Sequence, residues 1–128
     1  MRFLLDTHSL LWFLAGDTQL TGKARRVIEN PEYEILASTA SLWEVAIKHS
    51  LGKLPLAEPF EELFPHHLAL NSIALLTIHL DHVTRVSSLP FYHRDPFDRL
   101  LIAQALVEEI PILSGDEAFD DYGVERIW

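Results

Sequence analysis

The chain of 128 residues contains no cysteine. It therefore has neither a disulfide framework nor a thiolate metal site, and its composition is compatible with a reducing cytosol. It also lacks an apolar run long enough to span a membrane, since even the stretch FLLDTHSLLWFLAG is interrupted by Asp6 and His8. The first residues enter a strand-like run directly, without the pattern of a signal peptide. We expect a cytoplasmic protein that does not insert into the membrane.

Basic residues are scarce as well. The chain has 10 Lys and Arg against 19 Asp and Glu, which gives a formal net charge of −9 at pH 7. A surface of this sign disfavours nucleic-acid binding by bulk electrostatic attraction. Two possibilities stay open. Bound divalent cations could supply the positive charge that a phosphate needs, or the partner could be a basic protein.

Short apolar segments that alternate with helical patterns make up most of the chain, and 48% of its residues are hydrophobic. Strands are predicted at 2–5, 34–37, 73–78, 110–114 and, as an edge strand, 124–127. Helices are predicted between Asp6 and Gly16, at 21–30, within 38–53, at 80–88 and at 95–109, with a further helical turn at 116–119. Such alternation predicts a mostly parallel sheet of four or five strands that is covered by helices on both faces.

The organisation of the chain follows from its length and from its prolines. A length of 128 residues is typical of one domain, so we predict a single domain over 1–128. Pro55, Pro59 and Pro65 predict that helical pieces between 53 and 72 are short and broken.

Four acidic residues lie near the carboxyl ends of the predicted strands. Asp6 ends the first strand, Glu44 lies in the helix after the second, Asp98 begins the helix 95–109, and Asp116 follows the fourth strand. Ligands of parallel α/β sheets gather at that edge. Facing carboxylates repel one another unless cations fill the space between them, and carboxylate oxygens suit Mg²⁺ or Mn²⁺. This pattern is typical of metal-assisted phosphodiester cleavage.

Helix capping is an alternative explanation for each of these acids. The stretch Asp95–Asp98 has the residues of an N-cap followed by a first turn with Pro96, and both Ser41–Glu44 and Ser114–Glu117 match a capping box. Glu44 could also form an ordinary surface pair with Lys48, four residues on. The residues alone leave both explanations open.

Four sequence blocks resemble the PIN-domain nucleases, specifically the toxins of VapBC-type toxin–antitoxin modules. The blocks are FLLDTHSLLW, STASLWEVAIK, HRDPFDRLLIAQA and ILSGDEAF. Each block is weak alone, but their order and spacing together are specific, and the resemblance spans essentially the whole chain.

The resemblance implies a PIN-like three-layer α/β/α sandwich and a Mg²⁺- or Mn²⁺-dependent endoribonuclease that leaves 5′-phosphate and 3′-hydroxyl ends. It implies that this enzyme inhibits translation and growth when free of a cognate antitoxin, and that it forms a homodimer. The implied catalytic and metal-binding residues are Asp6, Glu44, Asp98 and Asp116. The implied supporting residues are Thr7 and Ser114, with Asp95 as a helix cap that can still touch the site.

Several other polar residues could contact RNA or metal. Candidates for contact with RNA phosphates are Arg94, Arg99 and Lys48, together with His93 and His49, although a solvated surface face is the favoured interpretation for each one taken alone. A zinc site is disfavoured because the pairs His66–His67 and His79–His82 have no third ligand at a diagnostic spacing.

Two other functional classes are compatible with acids at strand ends. Proteins phosphorylated on aspartate also gather acids around Mg²⁺, but they need a late lysine, and the last lysine here is Lys53. The chain after Asp6 also lacks the second aspartate of the related phosphatases. A non-catalytic PIN-like interaction module is the other alternative. It would be expected to lose the acids, whereas all four are present.

Overall fold

The structure, a computed structural model, describes residues 1–128. Five strands form one sheet in the order β3-β2-β1-β4-β5, and every neighbouring pair is parallel. The strands are β1 Arg2–Leu5, β2 Glu34–Ser38, β3 Ile73–Leu76, β4 Ile112–Leu113 and β5 Arg126–Ile127. The predicted parallel sheet is confirmed, and β5 lies at its edge as predicted.

Six α-helices and one 3₁₀ helix connect the strands. The α-helices are α1 Thr7–Ala15, α2 Gly22–Glu29, α3 Thr39–Ser50, α4 Phe60–Leu70, α5 Leu80–Ser88 and α6 Pro96–Glu108, and the 3₁₀ helix is Glu117–Tyr122. None of these helices combines the length and the hydropathy that crossing a membrane would require.

The central strands β1, β2 and β4 are buried on both faces over most of their length, which explains their continuous apolar runs. Phe3 and Leu5 of β1 belong to one core with residues of α1, α2 and α4, whereas Leu4 belongs to a second core with residues of α6. Successive side chains of a strand point to opposite faces, so a strand between two cores needs apolar residues at every position. The result is the α/β/α sandwich that was expected.

The register of the sheet brings three chain segments to one edge. Leu5, the last residue of β1, pairs with Ala37 of β2 on one side and with Leu113 of β4 on the other. Asp6, Ser38 and Ser114 therefore emerge next to one another at the carboxyl ends of the central strands. This alignment positions the acidic residues described below.

The prediction of short, broken helices between 53 and 72 was wrong for residues 60–70. The helix α4 runs through Pro65 without interruption, after Pro59 at its N-cap. Pro65 cannot donate a backbone hydrogen bond to the preceding turn. Phe64 and Leu68 are buried against the sheet, and their packing stabilises the helix despite the lost bond.

Both predicted capping boxes were also wrong. Ser38, not Ser41, caps α3, and its side chain accepts a hydrogen bond from the N–H of Ala40 at 3.0 Å. Asp116, not Ser114, caps the 3₁₀ helix, accepting from the N–H of Ala118 at 3.0 Å. The strand β2 extends to Ser38, which is itself the N-cap of α3, whereas β4 ends at Leu113 and the 3₁₀ helix begins only after Asp116.

Candidate active site

Asp6 directly follows β1 and caps the N-terminus of α1. Its Oδ1 accepts a hydrogen bond from the N–H of Ser9 at 2.8 Å, and its Oδ2 accepts one from the hydroxyl of Ser114 at 2.7 Å. Only 5% of the residue is exposed, and this burial raises the pKa of the carboxyl although the hydrogen bonds oppose the rise. Asp6 is thus held between the start of α1 and the end of β4.

Glu44 is the sixth residue of α3 and is also 5% exposed. Its Oε1 accepts a hydrogen bond from the hydroxyl of Thr7 at 2.8 Å, and its Oε2 accepts one from Nζ of Lys48 at 2.7 Å. The bond to Glu44 raises the pKa of Lys48. The pair that looked like a surface ion pair therefore joins a half-exposed amine to a buried carboxylate.

Asp98 lies in the first turn of α6, three residues after the predicted N-cap, Asp95. Asp95 accepts hydrogen bonds from the N–H groups of Phe97 at 2.8 Å and Asp98 at 3.1 Å, and Pro96 occupies the first helical position. Both the N-cap role of Asp95 and the place of Asp98 are confirmed.

The carboxyl of Asp98, like that of Asp6, has a raised pKa. Its pKa rises to about 7 because it is buried and because the negative charge of Asp95 lies nearby, with further contributions from Asp6 and Glu44. His93 acts in the opposite direction. Asp6 and Glu44 are therefore near enough to Asp98 for their charges to act on its carboxyl, at the same edge of the sheet.

Asp116 brings the fourth carboxylate to the same edge. Its N–H donates a hydrogen bond to Oγ of Ser114 at 3.0 Å, so this hydroxyl links Asp116 to Asp6. Its Oδ2 lies 3.1 Å from Nε2 of His93, and Oδ2 of Asp98 lies 3.2 Å from the same nitrogen. His93, Asp98 and Asp116 therefore offer three atoms that lie within 4.8 Å of one another.

His93 is the site residue whose role the sequence did not reveal, since it was considered only as a phosphate contact. Its Nδ1 accepts a hydrogen bond from the N–H of Asp95 at 3.2 Å, and its own N–H donates to the hydroxyl of Tyr122 at 2.8 Å. A ring nitrogen that accepts carries no proton, so in neutral His93 the proton is on Nε2. Nε2 is consequently a donor to Asp98 and Asp116, not a free metal ligand.

Of the three basic residues expected to contact RNA, Arg99 is placed elsewhere, and that expectation was wrong. Arg99 is only 5% exposed, and its guanidinium donates to backbone carbonyls, including those of Pro90 at 2.8 Å and Leu89 at 3.2 Å. It therefore anchors the segment before α6. Arg94 is exposed next to the site, and Lys48 is bound to Glu44.

The donor set suits a hard divalent cation. It consists of carboxylate oxygens, which Mg²⁺ and Mn²⁺ prefer over softer ligands. The pKa of Asp98 is raised first by burial and then by the neighbouring acids, so a positive charge close to it would favour its ionised form. A cation would supply that charge, so these residues fit the proposed metal.

The sequence is similar to that of a known ribonuclease. Over 79 residues, 60% of this chain and 55% of the relative, the sequence is 33% identical to Ribonuclease VapC16 of Mycobacterium tuberculosis. The match thus spans about half the length of that relative.

Solved structures share the fold at low sequence identity. The chain is similar to a subunit of VapBC2 from Rickettsia felis, bound to a DNA fragment from its promoter, with a TM-score of 0.72, 12% identity and coverage of 99% of this chain and 98% of that one. It is likewise similar to VapBC-1 from nontypeable Haemophilus influenzae, with a TM-score of 0.67, 14% identity and coverage of 99% and 97%.

The broadest match is to a family model. The model described as PIN domain matches residues 3–125, a range that includes the carboxyl ends of β1 to β4 and all four acids of the site. The chain belongs to the PIN domain family.

Proposed function

We propose that this protein is a Mg²⁺- or Mn²⁺-dependent endoribonuclease and the VapC-type toxin of a toxin–antitoxin pair. The observation that carries the proposal is the placement of four acids at one edge of the sheet, where Asp98 and Asp116 share Nε2 of His93 and Ser114 links Asp116 to Asp6. Glu44 joins them through Thr7, the residue after Asp6. Membership of the PIN domain family and the similarity to Ribonuclease VapC16 support it.

In the proposed mechanism, Asp6, Glu44, Asp98 and Asp116 hold the metal. When bound, a divalent cation would supply the positive charge that activates a water and offsets the charge on the phosphate and the leaving oxygen. Thr7 and Ser114 would keep their acids in place through the hydrogen bonds described above.

The remaining polar residues would act on the substrate or on the acids. His93 would orient Asp98 and Asp116 through Nε2, and the charge of Asp95 would make Asp98 favour a cation more strongly. Arg94, exposed beside the site, would contact an RNA phosphate. Lys48 would reach the same phosphate only by leaving Glu44.

An antitoxin would occupy the apolar groove on the far side of α1. This cavity of about 300 Å³ is lined by α1, α4 and the segment between α3 and α4, including Leu11, Leu14, Leu56 and Phe64. Its apolar lining suits the apolar face of a helix from another protein. Leu56→Glu is expected to abolish co-purification with the antitoxin while cleavage persists. Unchanged co-purification would contradict this placement.

A homodimer, a single domain over 1–128 and a cytoplasmic location complete the proposal. Exposed apolar side chains such as Leu75, Leu80 and Val83 support self-association. The two cores that share one sheet support a single domain. Sedimentation analysis would test the dimer.

The central test is cleavage of end-labelled total tRNA and ribosomal RNA by the purified protein with Mg²⁺, with Mn²⁺ and with EDTA. Asp6→Asn would be prepared in parallel, and Asp81→Asn, an exposed acid of α5, would serve as the matched control. We expect discrete metal-dependent cuts by the wild type and by Asp81→Asn, and none by Asp6→Asn.

The alternative, a non-catalytic interaction module, predicts a different outcome. Such a protein would bind its partner but would cleave neither RNA, with or without metal. Cuts that persist in Asp6→Asn would instead indicate a contaminating nuclease, and the catalytic assignment would have to be withdrawn.

A further inference from the structure

A second cavity opens beside the acidic site and shares two of its residues. Its volume is about 450 Å³, and Asp6 and Asp116 form part of its lining. The other lining side chains are aromatic rings and one amide. None of these has a role in the proposed mechanism.

The aromatic part is a row of three rings. The imidazole of His8 stacks on the indole of Trp12, with ring centroids 5.4 Å apart and planes within 15° of parallel. The indole of Trp12 in turn meets that of Trp128 with centroids 5.9 Å apart. All three rings line the cavity.

Packing against the core holds both indoles in place. Trp12 and Trp128 are partly buried and pack against the core on one face of the sheet. The indole of Trp128 also lies directly on Gly115, where an added Cβ would be only 3.0 Å from the ring. The cavity thus has rigid aromatic walls, and their position relative to Asp116 is set by the adjacent glycine.

The amide belongs to Gln19, in the turn between α1 and α2. Asp17 accepts a hydrogen bond from the N–H of Gln19 at 2.8 Å, and Nε2 of Gln19 lies 3.4 Å from Oδ2 of the same aspartate. A glutamine amide offers both donors and an acceptor, the combination that pairs with the edge of a nucleobase.

We propose that this cavity binds the base of a nucleotide that adjoins the scissile phosphate. The proposal rests on the proposed nuclease function, because Asp6 and Asp116 place the cavity next to the phosphate. Unpaired bases stack on aromatic side chains, whereas the bases of an A-form duplex are not accessible in this way. Stacking also provides affinity to a protein of net charge −9, which attracts phosphates poorly.

The first experiment measures binding without catalysis. The protein has three tryptophans, and Trp43, which is 58% exposed and packs against Phe97, lies outside the cavity. In EDTA, the three indole N–H signals of ¹⁵N-tryptophan-labelled protein would be followed by NMR during titration with each of four ribonucleosides. We expect at least one nucleoside to shift the signals of Trp12 and Trp128 and not that of Trp43. Failure of every nucleoside to shift Trp12 and Trp128 would overturn the proposal.

The second experiment tests base selection during cleavage. On an RNA library randomised around the cut, Gln19→Ala is expected to reduce the base preference at one position about tenfold, and Thr18→Ala, an exposed neighbour, to leave it unchanged. Trp128→Leu should raise KM about tenfold with kcat retained, and Trp128→Phe should restore most of the affinity.

The two hypotheses fail in distinguishable ways. If the wild type does not cleave with Mg²⁺ or Mn²⁺, the proposed function fails, while the nucleoside titration still decides whether the cavity binds bases. If the wild type cleaves and both variants keep its base profile and KM, the cavity does not bind a base. A cavity that accepts a side chain of a partner protein would give this second result.

Discussion

The carboxylates of the site are held in two different ways. Asp6 and Glu44 are each 5% exposed, and both oxygens of each carboxylate accept a hydrogen bond from a fixed partner. Asp98 and Asp116 have side chains that are 24% and 44% exposed, and they share the single Nε2–H of His93, while Asp116 alone has a further donor, the N–H of Ala118.

This difference separates the rigid part of the site from the part that depends on metal. Asp6 and Glu44 have their partners in the protein itself, so their positions need no ion. Asp98 and Asp116 repel each other where their Oδ2 atoms meet, and the one N–H of His93 that lies between them cannot compensate both charges. We therefore expect a bound cation to stabilise Asp98 and Asp116 more than Asp6 and Glu44.

The largest expected effect is on Asp98. Without metal at pH 8, Asp98→Asn should raise the free energy of unfolding by up to about 4 kcal/mol, the equivalent of a pKa raised from 3.8 to about 7. Thermal unfolding would measure it, with Asp81→Asn as the control. The stabilisation that Mn²⁺ gives the wild type should disappear in Asp98→Asn. A metal-dependent rise in Tm that persists there would rule out Asp98 as a ligand.

The same comparison has a pH dependence of defined sign. The fold favours the neutral form of Asp98, so its contribution to stability is fully present below pH 3.8 and is lost as pH rises through about 7. The difference in Tm between Asp98→Asn and the wild type should thus be small near pH 4 and reach a plateau above pH 7. If this difference in Tm does not vary with pH, the pKa of Asp98 is the same in the folded and unfolded protein, which would contradict the prediction.

Removal of a fixed partner should act in the opposite direction. Ser114→Ala leaves Oδ2 of buried Asp6 without its donor and is expected to lower the free energy of unfolding by about 1–3 kcal/mol. Urea denaturation would measure the loss. Ser88→Ala, which removes an exposed hydroxyl at the end of α5, should change stability little and serves as the control. Equal losses in the two variants would contradict the rigid role of Ser114.

The smallest expected effect concerns the shared donor. His93→Ala should weaken Mn²⁺ binding by about 10- to 100-fold, as other residues that orient metal ligands do, and His93→Gln should restore it because an amide N–H replaces Nε2–H. Calorimetry would measure both affinities. Histidine ¹⁵N NMR of the Mg²⁺-loaded protein should still show a proton on Nε2. Loss of that proton on Mg²⁺ addition would instead make His93 a ligand.

Much of the fold could be predicted from the sequence because its signals are local. The apolar runs of β1 and β2 predict strands buried on both faces, and Asp95 before Pro96 predicts the start of α6. The helix α4 could not be predicted, since burial of Phe64 and Leu68 in the tertiary structure outweighs the effect of Pro65.

The site was predictable to the extent that strand ends define it. Parallel strands bring their carboxyl ends together, which is why Asp6 and Asp116 could be expected to meet. The roles of His93 and Arg99 depend on the path of the segment before α6, which no local pattern specifies. The position of Glu44 inside α3 likewise depends on where β2 ends, and that is set by pairing with its neighbours.

The buried guanidinium of Arg99 limits how this protein can change in evolution. Arg99 is covalently next to Asp98, and it binds the carbonyls of Leu89 and Pro90, while His93 between them reaches back to Asp98. Contacts between its first and last residues thus hold the segment 89–99 in a closed loop. An insertion or deletion anywhere inside it would displace the anchor or the histidine, so its length should be far less variable among relatives than its exposed residues.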